Sequence, residues 1–162
     1  MPFTFPNSRM KAMIKELKTS KGKELLTRNY IGHISYIYNN NPYVVPITFF
    51  YDREAENLIS YAAEGQKIEA MRENPSVSLQ VEEIDSLNEW KSVIAYGRFE
   101  ELSGSTAQFE LHKFCQGVKK LVKEKEQKDL KFLCDFSSKA TSEKPPVVYR
   151  IHMEEMTARF RS

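Results

Sequence analysis

The chain has 162 residues, of which 41% are apolar and 12% aromatic, which is enough for one domain with a buried core. Its 24 basic and 22 acidic residues are interleaved along the chain, so the charge pattern does not indicate nucleic-acid binding. No apolar run approaches the roughly 18 residues of a membrane span, and no signal sequence precedes Cys115 and Cys134. These features predict a soluble, cytoplasmic protein with reduced thiols.

The first 29 residues are predicted to form N-terminal helices. A short amphipathic helix is indicated by four apolar residues at helical spacing: Met10, Met13, Ile14 and Leu17. A second helix is expected over Thr19 to Arg28.

Residues 30–102 are predicted to form the strands of a barrel. The strand-forming segments are Tyr30 to Tyr38, Pro42 to Tyr51, Asn57 to Ala62, Ser76 to Glu83 and Trp90 to Leu102. The first two form a hairpin, because Asn39, Asn40 and Asn41 between them tolerate left-handed backbone angles. Gly97 in the last segment indicates a bulge or bend.

A helical segment is predicted over 104–136, followed by a loop and a last strand over 147–158. Apolar residues recur at helical spacing in that segment: Leu111, Phe114, Cys115, Val118, Leu121 and Val122. The run from Ser137 to Pro146 is rich in Ser, Thr, Lys and Pro, which is typical of a loop. Residues 1–162 are therefore interpreted as one domain, mainly β with flanking helices (α+β).

The segment from Tyr61 to Lys67 is the most informative for function, because it places a glycine and a lysine where a strand ends and a helix begins. Backbone N–H groups at a helix N-terminus point outwards, Gly65 lets an anion approach the backbone, and Lys67 supplies a positive charge. A phosphate would fit there. The alternative is a solvent-exposed turn with a surface lysine.

Three segments in this order resemble the pyridoxamine-phosphate-oxidase-related flavoproteins, and most of all their nitroimidazole-resistance group. They are Pro42 to Phe49, Ala63 to Pro75 and Trp90 to Arg98. The resemblance implies a six-stranded antiparallel split β-barrel that forms a homodimer with FMN in the clefts between subunits.

The resemblance also implies which residues contact the cofactor. Lys67 matches the phosphate-binding lysine, beside Gly65, and Trp90 and Ser92 match positions that reach the flavin from the partner chain. The matching strand residues are Val45, Pro46, Ile47, Thr48, Ser60 and Tyr61. Trp90 could instead be a core or interface aromatic.

This chain departs from its relatives at three positions. Tyr61 stands where the nitroimidazole-resistance proteins often have a histidine, and Gln66 where they often have a basic residue. Val45 stands where true pyridoxamine phosphate oxidases have an arginine, so oxidation of that vitamin is not expected. No catalytic residue is assigned, and Tyr61 is only a weak candidate.

The leading hypothesis is an FMN-dependent oxidoreductase that acts on a small organic acceptor. One alternative is a non-catalytic FMN-binding or redox-sensing module. Another is a haem-handling split barrel in which His33 or His152 ligates iron. His33, His112 and His152 match no metal motif, which favours surface or structural roles and no metal site.

Overall fold

The computed structural model describes residues 14–127 and 144–162. Its strands are β1 (Ile14–Glu16), β2 (Ile31–Tyr38), β3 (Asn41–Thr48), β4 (Phe50–Asp52), β5 (Asn57–Ala62), β6 (Ser76–Ser86), β7 (Glu89–Glu101) and β8 (Val147–Arg161). Its helices are α1 (Thr19–Arg28), α2 (Gln66–Glu73) and α3 (Gly104–Glu126).

The strands form one antiparallel sheet in the order β3-β2-β6-β7-β8-β5-β4, with β1 added beside β8. The two ends of this order, β3 and β4, do not pair with each other, so the barrel stays split. The predicted mainly β fold with flanking helices is therefore confirmed. The predicted count of six strands is wrong, because the described part of the chain contains eight, two of which have only three residues.

The predicted helix over Met10 to Leu17 is also wrong where the structure describes it. Residues Ile14–Glu16 form strand β1, which pairs with the end of β8 from Arg159 to Arg161. Pairing with an available sheet edge outweighs a short helical pattern here. Met10 and Met13 lie outside the described residues.

The β2–β3 hairpin turns at Asn39 and Asn40, whose φ angles of 49° and 61° are left-handed. Asparagine tolerates this conformation, which suits a tight two-residue hairpin turn. The turn fixes the register in which Ile34 faces Val45 and His33 faces Pro46.

The sheet has an inner face that is buried and an outer face that stays exposed. Because directly opposed residues of neighbouring strands share a face, the outer face carries alternate residues of β3, β2, β6 and β7. The inner face packs on α1 and α2 through residues such as Leu25, Ile68 and Met71. No helix in the described ranges is both long and apolar enough to cross a membrane.

A second, smaller apolar cluster lies between α3 and the other side of β5. It contains Ile59, Phe114 and Val118, with the side chain of Cys115 buried among them. Helix α3 is described as far as Glu126; the rest of the predicted helical segment, the loop before Lys144 and Cys134 lie outside the described residues.

Candidate functional site

The loop between β5 and α2 leaves a helix N-terminus open to solvent. Gly65 is the N-cap of α2 and is exposed, and no side chain caps the helix. A Cβ added at Gly65 would meet no atom within 4 Å. The free N–H groups of the first helical turn are therefore accessible to an anion.

Lys67 stands in the first turn of this helix. Its side chain is half-buried, and burial lowers the pKa of its ammonium group. Among the described residues it has no hydrogen bond and no ion pair. The nearby carboxylate of Glu64 does not neutralise it, because Arg72 holds that carboxylate at 2.7 Å. Lys67 is thus a partly desolvated cation with no acidic partner in residues 14–127 and 144–162.

Arg72 forms a compact ion-pair cluster on the same helix. Its guanidinium group donates to both oxygens of Glu64 and to both oxygens of Glu101 at 2.7–2.9 Å. These hydrogen bonds raise the pKa of Arg72, and the bonds from Arg72 lower the pKa of Glu101. The cluster links α2 and the preceding loop to the end of β7.

Strand β3 pairs only with β2, so it is an edge strand and half of its backbone groups lie on an unpaired side. Val45 and Ile47 point to the core, whereas Pro46 and Thr48 are on the outer face. The carbonyl of Thr48 accepts a hydrogen bond of 2.7 Å from the Ser60 hydroxyl. The structure therefore brings the predicted residues Thr48 and Ser60 together.

Ser60 and Tyr61 lie on opposite faces of β5. Ser60 is buried, and its hydroxyl is already committed to β3. Tyr61 packs edge-on against Phe114 of α3, with ring centroids 5.3 Å apart. Burial, with a smaller contribution from Cys115, raises the pKa of Tyr61. The Tyr61 side chain thus belongs to the cluster under α3, and the Ser60 side chain lies on the other face of the strand.

Trp90 and Ser92 lie on the outer face of β7. Ser92 is opposite Glu82 of β6 and accepts a hydrogen bond of 3.3 Å from Gln80. Strands β2 and β6 separate β7 from β3, and three strand spacings of about 4.8 Å amount to about 14 Å. Within one chain, Trp90 and Ser92 therefore do not meet Pro46 and Thr48.

The strands between these groups carry residues that sequence reasoning did not assign to the site. His33 of β2 is directly opposite Pro46, on the same face, and Glu82 of β6 is directly opposite Ser92. Only the cross-strand register could have revealed this, because His33 alone matches no motif. The other described histidines are placed differently: His112 is exposed on α3, and His152 contacts the carboxylate of Glu100. Groups of three or more possible metal ligands are absent from the described residues.

In the part of the chain that the structure describes, an open antiparallel barrel of eight strands flanked by helices defines a small split β-barrel protein. The chain belongs to the pyridoxamine 5′-phosphate oxidase family, whose model matches residues 20–160.

Three proteins show what the chain is similar to in structure and sequence. An FAD-binding protein of Mesorhizobium loti has 29% identity and a TM-score of 0.71, with 92% of this chain and 99% of that chain covered. A candidate 5-nitroimidazole antibiotic resistance protein of Bacteroides thetaiotaomicron has 16% identity and a TM-score of 0.66, covering 91% and 88%, and shares the fold. An uncharacterized protein of Rhizobium meliloti (strain 1021) is 47% identical over 64 residues, which are 40% of this chain and 41% of that relative.

Proposed function

We propose that the protein binds a flavin nucleotide, of which FMN is the smallest, and that Lys67 and the N-terminus of α2 hold its phosphate. The observation that carries the proposal is the half-buried ammonium group of Lys67, which has no acidic partner in the described ranges. A partly desolvated charge without a partner costs free energy, and an anion from outside would recover it. The uncapped N–H groups beside Gly65 would add hydrogen bonds to the same anion.

The residues present fit the remainder of such a ligand. The unpaired edge of β3 offers N–H and C=O groups to the rim of a planar ring, and Pro46 presents an apolar ring beside them. The similarity to an FAD-binding protein of Mesorhizobium loti supports a flavin and makes FAD the alternative to FMN. Both nucleotides contain the flavin ring and the first phosphate, so the same site would serve either.

A homodimer would complete this site. The outer face exposes five large apolar side chains, which are 39–68% accessible: Ile31, Ile37, Val44, Ile84 and Tyr96. Large apolar side chains exposed on one face are typical of a protein interface. A two-fold axis across the outer face would bring Trp90 and Ser92 of a second copy to the β3 edge that they cannot reach within one chain.

A bound flavin supplies electron or hydride transfer, and the chain's own residues bind and orient it. The activity proposed is oxidoreduction of a small organic molecule in the cytoplasm. Because its pKa is raised, Tyr61 stays protonated at neutral pH and could act through hydrogen bonds of its hydroxyl group or by packing. Val45 supplies no charge for a second phosphate, so oxidation of pyridoxamine phosphate is not proposed.

Absorption spectra and titrations with riboflavin, FMN and FAD test this function. We expect flavin absorption bands, and we expect both nucleotides to bind about 10- to 100-fold more tightly than riboflavin, since the difference is the phosphate. Lys67→Met should remove most of that preference, and Lys120→Met, on the exposed side of α3, should leave it intact. Equal affinity for riboflavin and FMN in the wild type would overturn the phosphate site.

The same samples distinguish the alternatives. Stoichiometric flavin without turnover of quinones, nitro compounds or nicotinamides would favour a non-catalytic or redox-sensing module. A Soret band instead of flavin bands would favour a haem protein.

A further inference from the structure

Arg72, in the last turn of α2, holds two carboxylates at once, and one of them belongs to the loop in front of the proposed phosphate site. Its guanidinium group donates to Glu64 from Nη1 at 2.9 Å and from Nη2 at 2.7 Å. It donates to Glu101, at the end of β7, from Nε and Nη2 at 2.7 Å each. Such bidentate pairs fix the geometry of a carboxylate as well as its charge. The position of the Glu64 carboxylate therefore depends on Arg72.

Glu64 is also next to the groups that the phosphate would use. It directly precedes Gly65, the N-cap of α2, and Lys67 is the nearest cation along the chain. The free N–H groups and the dipole of a helix N-terminus attract a carboxylate as they attract a phosphate. A released Glu64 side chain would therefore compete with an anion from outside.

The structure shows the Glu64 carboxylate turned away from these groups. No ion pair joins it to Lys67 within the described ranges, and no side chain caps the helix. Both oxygens of Glu64 are directed to Arg72 instead. The second pair, to Glu101, ties the same guanidinium group to the sheet.

We propose that Arg72 is a positioning residue that keeps the anion site open, by holding the carboxylate of Glu64 away from Lys67 and from the N-terminus of α2. This role rests on the proposed function, because the anion that it admits is the flavin phosphate. Without Arg72, Glu64 turns to Lys67 and the free N–H groups and blocks the site from within the chain.

The two carboxylates bound to Arg72 provide a matched control. Their side chains are similarly exposed, at 48% for Glu64 and 39% for Glu101, and both are bound by the same guanidinium group. Replacing either one with glutamine removes one negative charge near the site. If net charge alone set the affinity for an anion, the two replacements would act alike. If Arg72 acts by holding Glu64, only the replacement of Glu64 compensates for its loss.

Titrations of the full-length chain with FMN and riboflavin test this role. Arg72→Met should weaken FMN binding about three- to tenfold, because the phosphate must then displace Glu64 from an exposed ion pair and from the helix N-terminus. Riboflavin, which has no phosphate, should bind as it does to the wild type. Adding Glu64→Gln to Arg72→Met should restore FMN binding, whereas adding Glu101→Gln should not.

A second measurement follows the Lys67 ammonium group directly, by NMR of the lysine side chains without any flavin. The pKa of Lys67 should rise in Arg72→Met, because the released Glu64 pairs with it, and should fall again when Glu64→Gln is added. In the wild-type background, Glu64→Gln should leave the pKa of Lys67 unchanged. A lowered value there would mean that the two residues already interact, which would overturn the proposal even if Arg72→Met does not fold.

Equal losses of FMN and riboflavin affinity in Arg72→Met would show a merely structural role and overturn the proposal. Restoration by Glu101→Gln as complete as by Glu64→Gln would overturn it as well. The proposed function fails in a different way, through a wild type that binds FMN and riboflavin equally. In that case a pKa of Lys67 that rises in Arg72→Met still supports Arg72 as the residue that keeps Glu64 away from Lys67.

Discussion

Replacing Lys67 with methionine should stabilise the ligand-free protein while abolishing its preference for a phosphorylated flavin. The charge of Lys67 is partly buried and has no acidic partner within the described ranges, so folding removes water from it without compensation there. Methionine keeps an unbranched apolar chain of similar length and removes the charge. We expect a gain of about 0.5–2 kcal/mol in the free energy of unfolding at pH 7, within the range of common stabilising substitutions.

The gain should depend on pH with a defined sign. Because the folded-state pKa of Lys67 is lowered from 10.5, the folded protein releases this proton before the unfolded chain does. The wild type therefore gains stability relative to Lys67→Met as the pH rises through the window between the lowered pKa and 10.5. The difference should be full at pH 7 and disappear above that window.

Flavin should reverse the order of the two proteins. Ligand at 100 times its Kd stabilises the wild type by about 2.7 kcal/mol. In a chain of this size each kcal/mol corresponds to about 2–4 °C in Tm. Urea denaturation at pH 7 and pH 10, and thermal scans with and without FMN, measure both effects, with Lys120→Met as the control. A Lys67→Met protein that is less stable without ligand at pH 7, or a difference that does not change with pH, would refute the reasoning.

Three further perturbations probe the scaffold and the assembly. Gly97→Ala should lower the free energy of unfolding, measured with urea, by about 3 kcal/mol, because its Cβ would lie 2.1 Å from a backbone carbonyl oxygen of β8. The control Gly65→Ala, whose Cβ would meet no atom within 4 Å, should change that free energy by no more than about 0.5 kcal/mol. Similar losses in the two variants would contradict this. Hydrogen bonds from Arg28 lower the pKa of Glu83 to about 2. They should contribute about 1–2 kcal/mol to the free energy of unfolding after solvent screening, present above pH 4.5 and lost as the pH falls towards 2. A Glu83→Gln protein that loses stability with falling pH just as the wild type does would argue against this. Val44→Glu, on the outer face, should convert a dimer into an 18.9 kDa monomer by light scattering, and a wild type that is already monomeric would exclude the proposed assembly.

Local sequence patterns predicted most of the regular elements. The strand Asn57–Ala62 has the predicted bounds, and the bulge indicated by Gly97 is present as a shift of register beside Tyr96. Helix α3 extends a few residues beyond the apolar stripe that predicted it, because polar residues add turns at both ends. Neither three-residue strand was predicted as a separate element. The predicted strand Pro42 to Tyr51 is divided after Thr48, and its last two residues begin β4. Strand β1 was not predicted because it depends on pairing with the distant β8.

The candidate site was predictable only where its signal is contiguous in sequence. Gly65 and Lys67 are two residues apart at the end of a strand, so the sequence alone indicated an anion site. The surroundings of His33 depend on the register of β2 against β6, which sets His33 opposite Gln80 although the two residues are far apart along the chain. No local period encodes such a pairing, because it is decided by the packing of the whole inner face.

Strand β5, which leads into the Lys67 loop, is paired along its full length with the start of β8, from Asn57 opposite His152 to Ala62 opposite Val147. Its other neighbour, β4, contributes only three residues. During synthesis on the ribosome, β5, which leads into the proposed anion-binding loop, thus emerges long before β8, which holds it in place. On the proposed function, a nascent chain that ends before Val147 would lack the strand that holds the nucleotide site in place, and the flavin would bind only after β8 has emerged.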